Sequence, residues 1–370
     1  MGRGIDLKRL QAASARLGDA VIDPAVWAEI MEGIATAAGA RGAALLQSDA
    51  RTPDIPRTAG VDEYFRSYFN EGWHARDVRA NRGVPLLLRG ETAIIDQDIV
   101  TPDEMRSMGL YAESLIPRGL GWFCAIGFWS GTALWGLTVQ RAWRDGPFEE
   151  EDKRVLGQLS QRLSEAATLS RAVGWTALTG VTNVLDLVQL PTLALDRSGS
   201  VLEANAAATR LFDDEVRIRG GRLLLRDRQA RAALDALLDR LRTTSDRAAT
   251  PCEPIVVRRT DRRPLIIRVL PVDGAARTPF LGARVLLVFS DLEAQRLPDG
   301  VSVAQAFGLS PAETRLLLLL ATGISPRQAA EQLGVTFETV RVHLKSLFAK
   351  TGTHRQSELV VLIARAWPNA

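Results

Sequence analysis

Apolar residues recur along the chain with two periods, and each change of period marks a change of element. Trp27, Ile30, Met31 and Ile34 keep helical spacing behind Asp23 and Pro24, which predicts a capped helix with proline in its first turn. A strand is expected over Gly42 to Gln47. Residues 63–73 set Tyr64, Tyr68 and Trp73 among charged positions, the pattern of a helix laid over a core or a pocket. Trp122 to Trp129 and Ala133 to Arg141 are aromatic-rich apolar runs separated by Ser130, Gly131 and Thr132, which predicts two antiparallel strands joined by a tight turn. After Gly146 and Pro147 the pattern is helical to about Leu169, with Val155, Leu156, Leu159, Leu163 and Ala166 on one stripe. Such a helix either packs on its own domain or pairs with a second copy. These elements make an α+β domain over 1–170.

A second α+β module is expected over 180–291. A strand from Leu193, a turn at Arg197 to Ser200 and a second strand ending at Asn205 lead into a helical run. Ala230 to Leu241 predicts a helix, and Pro254 to Arg258, Pro264 to Leu270 and Ala283 to Phe289 predict three more strands. Strand, turn and strand running into Asn205, Ala206 and Ala207 resemble the opening of a PAS domain, and the first module resembles a GAF-like sensory domain. The resemblance implies signal reception, or for the PAS-like module only dimerisation or relay.

The local signals are densest from Leu309. Ser310, Pro311 and Glu313 form a capping box: the serine accepts from a free amide, proline fits the first helical position, and the glutamate reaches back to the cap. Leu316 to Ala321 continue that helix, and Gly323 ends it. Ser325, Pro326 and Gln328 repeat the arrangement for a short helix carrying Ala329, Ala330 and Leu333, closed by Gly334. Thr336 caps the next helix, whose Val340, Leu344, Leu347 and Phe348 form the inner face. Glu338, Thr339, Arg341, Val342, Lys345 and Ser346 are expected to point outward. Two short helices joined at Gly334, the second with a basic outer face, have the form that enters a DNA major groove.

The run over 309–353 resembles the LuxR/FixJ-type helix-turn-helix domain. It does so through Leu309 to Glu313, Ala321 to Ser325, Ala329, Ala330, Leu333 to Thr336, Thr339 to Lys345 and Lys350 to Thr353. The resemblance implies a four-helix, all-α DNA-binding domain over 303–370 and a transcription regulator. It assigns base contacts to Arg341, Val342 and Lys345. Guanidinium and ammonium groups donate to guanine, and a valine touches a thymine methyl. Thr336, Thr339, His343 and Lys350 suit phosphates. It also implies a fourth helix near Arg355 to Ala366 with Leu359, Leu362 and Ile363 inward and Val361 as a dimer contact. His354 stands where many members carry a capping Ser or Asn.

Charge agrees with this placement. Between Val301 and the end there are seven basic and four acidic residues, an excess of three that equals the net charge of the whole chain. Hydrophobic content of 46% and charged content of 24% are those of a globular protein. No apolar run reaches the length of a signal peptide core or a membrane helix, so a cytoplasmic protein without membrane contact is expected. Cys124 and Cys252, the two cysteines, support neither a disulfide framework nor a thiolate metal site, and both are expected to be buried thiols.

What the front of the chain receives is less defined. A phosphorylated receiver is not recognisable, so a ligand or protein signal is expected. Tyr64, Tyr68, Trp73, Trp122 and Trp129 are candidate walls of an apolar pocket, with Arg76, Asp77 or Arg79 to fix a polar group. The plainer alternative is an aromatic core with a salt-bridged surface. Arg76, Asp77 and Val78 lack the Asp-Pro step of acyl-lactone receptors, and the PAS-like module has no histidine for haem or cysteine motif for a flavin adduct. No cofactor, metal site or catalytic residue is identified. A nucleotide- or small-molecule-binding signalling enzyme with an accessory helical domain is the alternative, but no P-loop, no Gly-x-Ser-x-Gly and no His-Glu-x-x-His stands in the sequence. The partners expected are double-stranded DNA, a second copy of the chain and an unidentified small molecule.

Overall fold

The computed structural model describes residues 4–48, 55–243, 253–293 and 298–367. The chain divides into two compact units. The first takes in Met1–Leu187, Pro191–Val257 and Ile267–Phe289, and the second Val188–Leu190, Arg258–Ile266 and Ser290–Ala370.

The first unit opens with three helices, α1 (Leu7–Ala15), α2 (Asp19–Ile22) and α3 (Val26–Ala37), followed by strand β1 (Gly42–Gln47). Asp23 accepts from the Ala25 amide at 2.9 Å just ahead of α3, close to the expected cap. Then come α4 (Asp62–Asn70), α5 (Val78–Leu88), β2 (Ala93–Ile95), α6 (Pro102–Ser107), β3 (Leu120–Ser130) and β4 (Ala133–Ala142). The four strands form one antiparallel sheet in the order β1-β4-β3-β2, and the β3–β4 hairpin turns at Gly131 and Thr132.

Side-chain alternation gives this sheet two apolar faces. Cys124, Ile126, Phe128, Trp135, Leu137 and Val139 pack against α1, α3 and the helix that follows β4. Phe123, Ala125 and Leu134 face α4, α5 and the Leu110–Leu115 turn. Cys124 is buried and its thiol is pushed up by desolvation. Cys252 lies outside the described residues.

Beyond β4, α7 (Glu150–Gly157) leads into α8 (Leu159–Leu187). The sequence pattern fades near Leu169, yet the helix runs 29 residues, because no proline interrupts it and its buried stripe continues through Ser170, Gly174, Leu178 and Thr182. Apart from Leu178 these are small or polar positions, which a search for apolar spacing passes over.

The next elements are β5 (Thr192–Asp196), β6 (Val201–Ala204), α9 (Ala206–Leu211), β7 (Val216–Arg219), β8 (Arg222–Leu225), α10 (Arg228–Thr243), β9 (Ile255–Arg259), β10 (Arg262–Pro271) and β11 (Ala283–Asp291). Five strands form a sheet in the order β6-β5-β11-β10-β9, while β7 and β8 form a two-stranded ribbon that an isolated bridge links through Arg222 to Ser200. Asn205 caps α9 through its side chain, and the same oxygen accepts from the Thr192 amide at 3.0 Å, which explains why that asparagine ends the strand pair. Between β10 and β11, Phe280 enters the first sheet's core. Its ring meets Trp27 at 5.1 Å and Trp135 at 5.0 Å, both edge-on.

The second unit carries α11 (Gly300–Phe307), α12 (Pro311–Ala321), α13 (Pro326–Leu333), α14 (Phe337–Thr351) and α15 (Gln356–Ala366). Val303, Leu316, Leu317, Leu320, Val340 and Leu347 lie at the centre of its core. The described C-terminal region is therefore helical and the preceding region α+β, as the sequence indicated. No helix among the described residues is long and apolar enough to cross a membrane.

Candidate nucleic-acid interface and sensory cavity

Both expected capping boxes form in the C-terminal helices. Ser310 and Glu313 exchange bonds at the start of α12, as do Ser325 and Gln328 at the start of α13. Gly334 holds φ at 66°, a left-handed conformation that closes α13 and lets the chain turn within two residues to Thr336. The Thr336 hydroxyl accepts from the Thr339 amide at 3.2 Å and lies 2.8 Å from the Thr339 hydroxyl, so both threonines sit at the N-terminus of α14. That end carries free amides and the positive pole of the helix, a place for a phosphate.

The inner face of α14 is fixed by Val340 and Leu347, both buried. Its outer face exposes Arg341, Lys345 and Val342, the last 64% exposed. Arg341 donates to Glu338 at 3.1 Å, an exposed pair one turn apart that competes weakly with any stronger anion. His343 is half-buried.

Two residues behave differently from expectation. Ser346 does not point outward: its hydroxyl donates to Glu313 Oε1 at 2.6 Å. Lys350 donates to Glu313 Oε2 at 2.7 Å, so its ammonium is already engaged inside the domain. Lys350, Ser346 and the Ser310 amide together hold the Glu313 carboxyl down at about 2. Sequence spacing showed Glu313 only as a cap. Its second role depends on α12 and α14 crossing, which no local pattern records. In α15, Leu359 and Ile363 are buried and Val361 is 50% exposed. Arg355 occupies the cap position without a side-chain bond, while the His354 amide donates to Glu358.

In the first unit a cavity of about 90 Å³ lies between the sheet and α4–α5, lined by Tyr64, Tyr68, Asp77, Arg79, Phe123 and Gln140 among others. Tyr68 donates to Asp77 Oδ2 at 2.6 Å, and Asp77 Oδ1 caps α5 by accepting from the Arg79 and Ala80 amides. Arg79 is buried and spends every nitrogen: on Asp96, on the Tyr111 hydroxyl, on Gln140 at 3.1 Å and on the Gly121 carbonyl at 2.8 Å. Asp96, also buried, accepts from Arg79, from Tyr111 at 2.6 Å and from the Phe123 amide at 2.7 Å. Burial pushes the Tyr64 and Tyr111 phenols up, so both remain protonated donors. Asp96, Tyr111 and Gln140 were not singled out from the sequence, since nothing in their spacing links them to Arg79.

Tyr64 and Tyr68 are thus brought together at the cavity, with Asp77 and Arg79. The three tryptophans lie elsewhere. Trp73 is buried in the adjoining core, its indole N–H donating to Glu71 and its ring lying under Arg76 at 4.1 Å. A register shift between Leu120 and Trp122 turns Trp122 out to stack on Trp143, with ring centres 4.7 Å apart. Trp129 sits at the far end of β3, 41% exposed.

Among comparisons with known proteins, residues 308–363 match the family model of bacterial regulatory proteins, luxR family. The C-terminal helices are therefore a LuxR-type helix-turn-helix domain. No curated protein matches the chain in sequence. Similar solved structures include the phage VqmA–DPO complex, at 16% identity and a TM-score of 0.21 over 52% of this chain and 90% of that one. The complex of DhaR(N) with DhaL from E. coli has 11% identity and a TM-score of 0.24 over 76% and 87%. The Vibrio cholerae VqmA dimer without target DNA has 14% identity and a TM-score of 0.17 over 50% and 89%. Scores this low carry no inference about fold or ligand.

Proposed function

We propose that this protein is a sequence-specific DNA-binding transcription regulator. It acts as a homodimer on double-stranded DNA and answers to a ligand or protein signal received by its front modules, GAF-like over 1–170 and PAS-like over 180–291, ahead of the DNA-binding module over 303–370. The observation that carries the reading is α14: held from behind by Val340, Leu347 and the Glu313 carboxylate, it offers Arg341, Val342 and Lys345 to the outside. A helix fixed on one face and basic on the other is what major-groove readout needs. Arg341, Val342 and Lys345 read base edges, and Thr336, Thr339 and His343 contact phosphates. Lys350 joins the phosphate contacts by sharing its ammonium with Glu313. Val361 contributes to the contact between two copies. For the front, support comes from a cavity that combines aromatic walls with fixed donors and acceptors and, at about 90 Å³, has room for only a very small ligand.

The test is selection of genomic DNA fragments on the purified full-length protein. Enrichment of a sequence with two-fold symmetry is expected, because a symmetric dimer meets two half-sites about one helical turn apart. Recovery no better than random fragments would overturn the reading. Native mass spectrometry of the same preparation is expected to show a retained small molecule.

A further inference from the structure

The β7–β8 ribbon belongs to no larger sheet. Val216 faces Leu225, Arg217 faces Leu224, Ile218 faces Leu223 and Arg219 faces Arg222. Paired residues share a side of the ribbon. Val216, Leu223 and Leu225 are buried and make the inner side, whereas Arg217, Arg219, Arg222 and Leu224 are exposed on the outer side. Gly220 and Gly221, at φ of 59° and 69°, form the two-residue turn whose twist matches that of the strands. From Val216 to Arg226 the chain carries four arginines and no acidic residue. Asp213, Asp214 and Glu215 precede the ribbon and Asp227 follows it, so the excess belongs to the ribbon itself and disappears once its flanks are counted.

The arrangement has a cost. Like charges directly opposite each other on paired strands destabilise the pairing, and Arg219 faces Arg222 next to the turn. A further cation is drawn in: Arg222 donates to the Ser198 carbonyl at 2.9 Å and Arg242 of α10 donates to the same oxygen at 3.2 Å. The acidic contacts of this cluster are long and exposed, Arg217 to Asp214 at 3.8 Å and Arg242 to Asp239 at 3.6 Å. Arg219 and Arg226 have no acidic partner among the described residues. Arg217 and Arg219, two residues apart on one strand, are separated by about 6.6 Å.

We infer that the outer side of this ribbon is a second contact for double-stranded DNA, separate from the C-terminal helices. It holds phosphates by charge and paired guanidinium bonds. The inference rests on the reading of the chain as a DNA-binding regulator. The ribbon supplies affinity, while sequence choice stays with α14.

The test measures binding of the full-length protein to mixed-sequence duplexes across a range of salt, comparing wild type with the joint variant Arg217→Gln, Arg219→Gln, Arg222→Gln. Each phosphate that an arginine no longer neutralises lowers the slope of log affinity against log salt by about 0.9, so a fall of about 2–3 is expected for the joint variant. Because Arg222 also holds the Ser198 carbonyl, Arg219→Gln alone is measured too. It is expected to lower the slope by about 1 without lowering the thermal midpoint, since it also relieves the repulsion with Arg222. Wild-type slopes in both variants overturn the proposal. So does loss of binding to phosphatidylserine vesicles with DNA slopes unchanged, which assigns the ribbon to a membrane surface. If the wild type binds no duplex at all, the regulator reading fails with it; if the wild type binds and the ribbon variants bind equally, only the ribbon proposal falls.

Discussion

Glu313 and Lys350, 37 positions apart, meet at 2.7 Å and tie the first turn of α12 to the last turn of α14. The same carboxylate takes the Ser346 hydroxyl and the Ser310 amide, so one side chain caps its own helix and fixes the orientation of the helix that carries Arg341, Val342 and Lys345.

Acid should loosen α14 through this group. The folded Glu313 carboxyl is held at about 2, below the ordinary 4.5. A depressed carboxyl gives stability that is fully present above its unfolded value and is lost as pH falls toward the folded one. Protection of the α14 amides from hydrogen exchange, relative to the intrinsic rate at each pH, is expected to fall between pH 4.5 and 2 in the wild type. Glu313→Ala, which removes charge-assisted bonds worth about 2 kcal/mol, should show fast exchange already at neutral pH. Equal exchange in the two proteins at pH 7 would separate Glu313 from the positioning of α14.

Arg341→Ala and Lys345→Ala should each weaken binding to a selected operator by about 1–3 kcal/mol and relax the preference at one base position. Far-ultraviolet circular dichroism should remain that of the wild type, since both side chains are exposed. Operator titrations of single-base variants measure this. Unchanged selectivity in both proteins would remove the base-reading assignment.

Phe280 joins the second sheet's module to the core of the first. Its edge contacts with Trp27, Trp135 and Phe128 leave little room for collapse, so Phe280→Ala is expected to cost about 3–5 kcal/mol. The indole nitrogens of Trp27 and Trp135 are buried without acceptors. Water entering the vacated space would supply them, shifting tryptophan emission to longer wavelength. A loss of under about 1 kcal/mol with unchanged emission would show that the aromatic seat is not a stabilising contact.

Arg79 and Asp96 form a buried pair whose remaining valences are filled by Tyr111, Gln140 and the Phe123 amide. Arg79→Met alone should lose about 3–5 kcal/mol, because it leaves a buried carboxylate uncompensated. Adding Asp96→Asn should recover part of that loss. Urea unfolding of the two variants reads the coupling, and strictly additive losses would mean that the pair acts as two independent contacts.

Local chemistry was legible in advance. Serines three residues ahead of glutamate or glutamine started α12 and α13, and the apolar runs 122–129 and 133–141 about Ser130 to Thr132 gave the β3–β4 hairpin. In each case the deciding residues lie within a few positions of a cap or a turn, so spacing records the element. The sequence by itself therefore determined the capped helices, the paired strands and the helical character of the C-terminal region. Tertiary structure decided which side chains meet across distance: Lys350 and Ser346 on Glu313, Tyr68 beside Asp77 while Trp122 turns away to Trp143, Phe280 between two tryptophans, and three arginines on one side of a ribbon. Those contacts depend on how elements cross and which face each turns inward, and that is settled by packing the whole core rather than by neighbours in sequence.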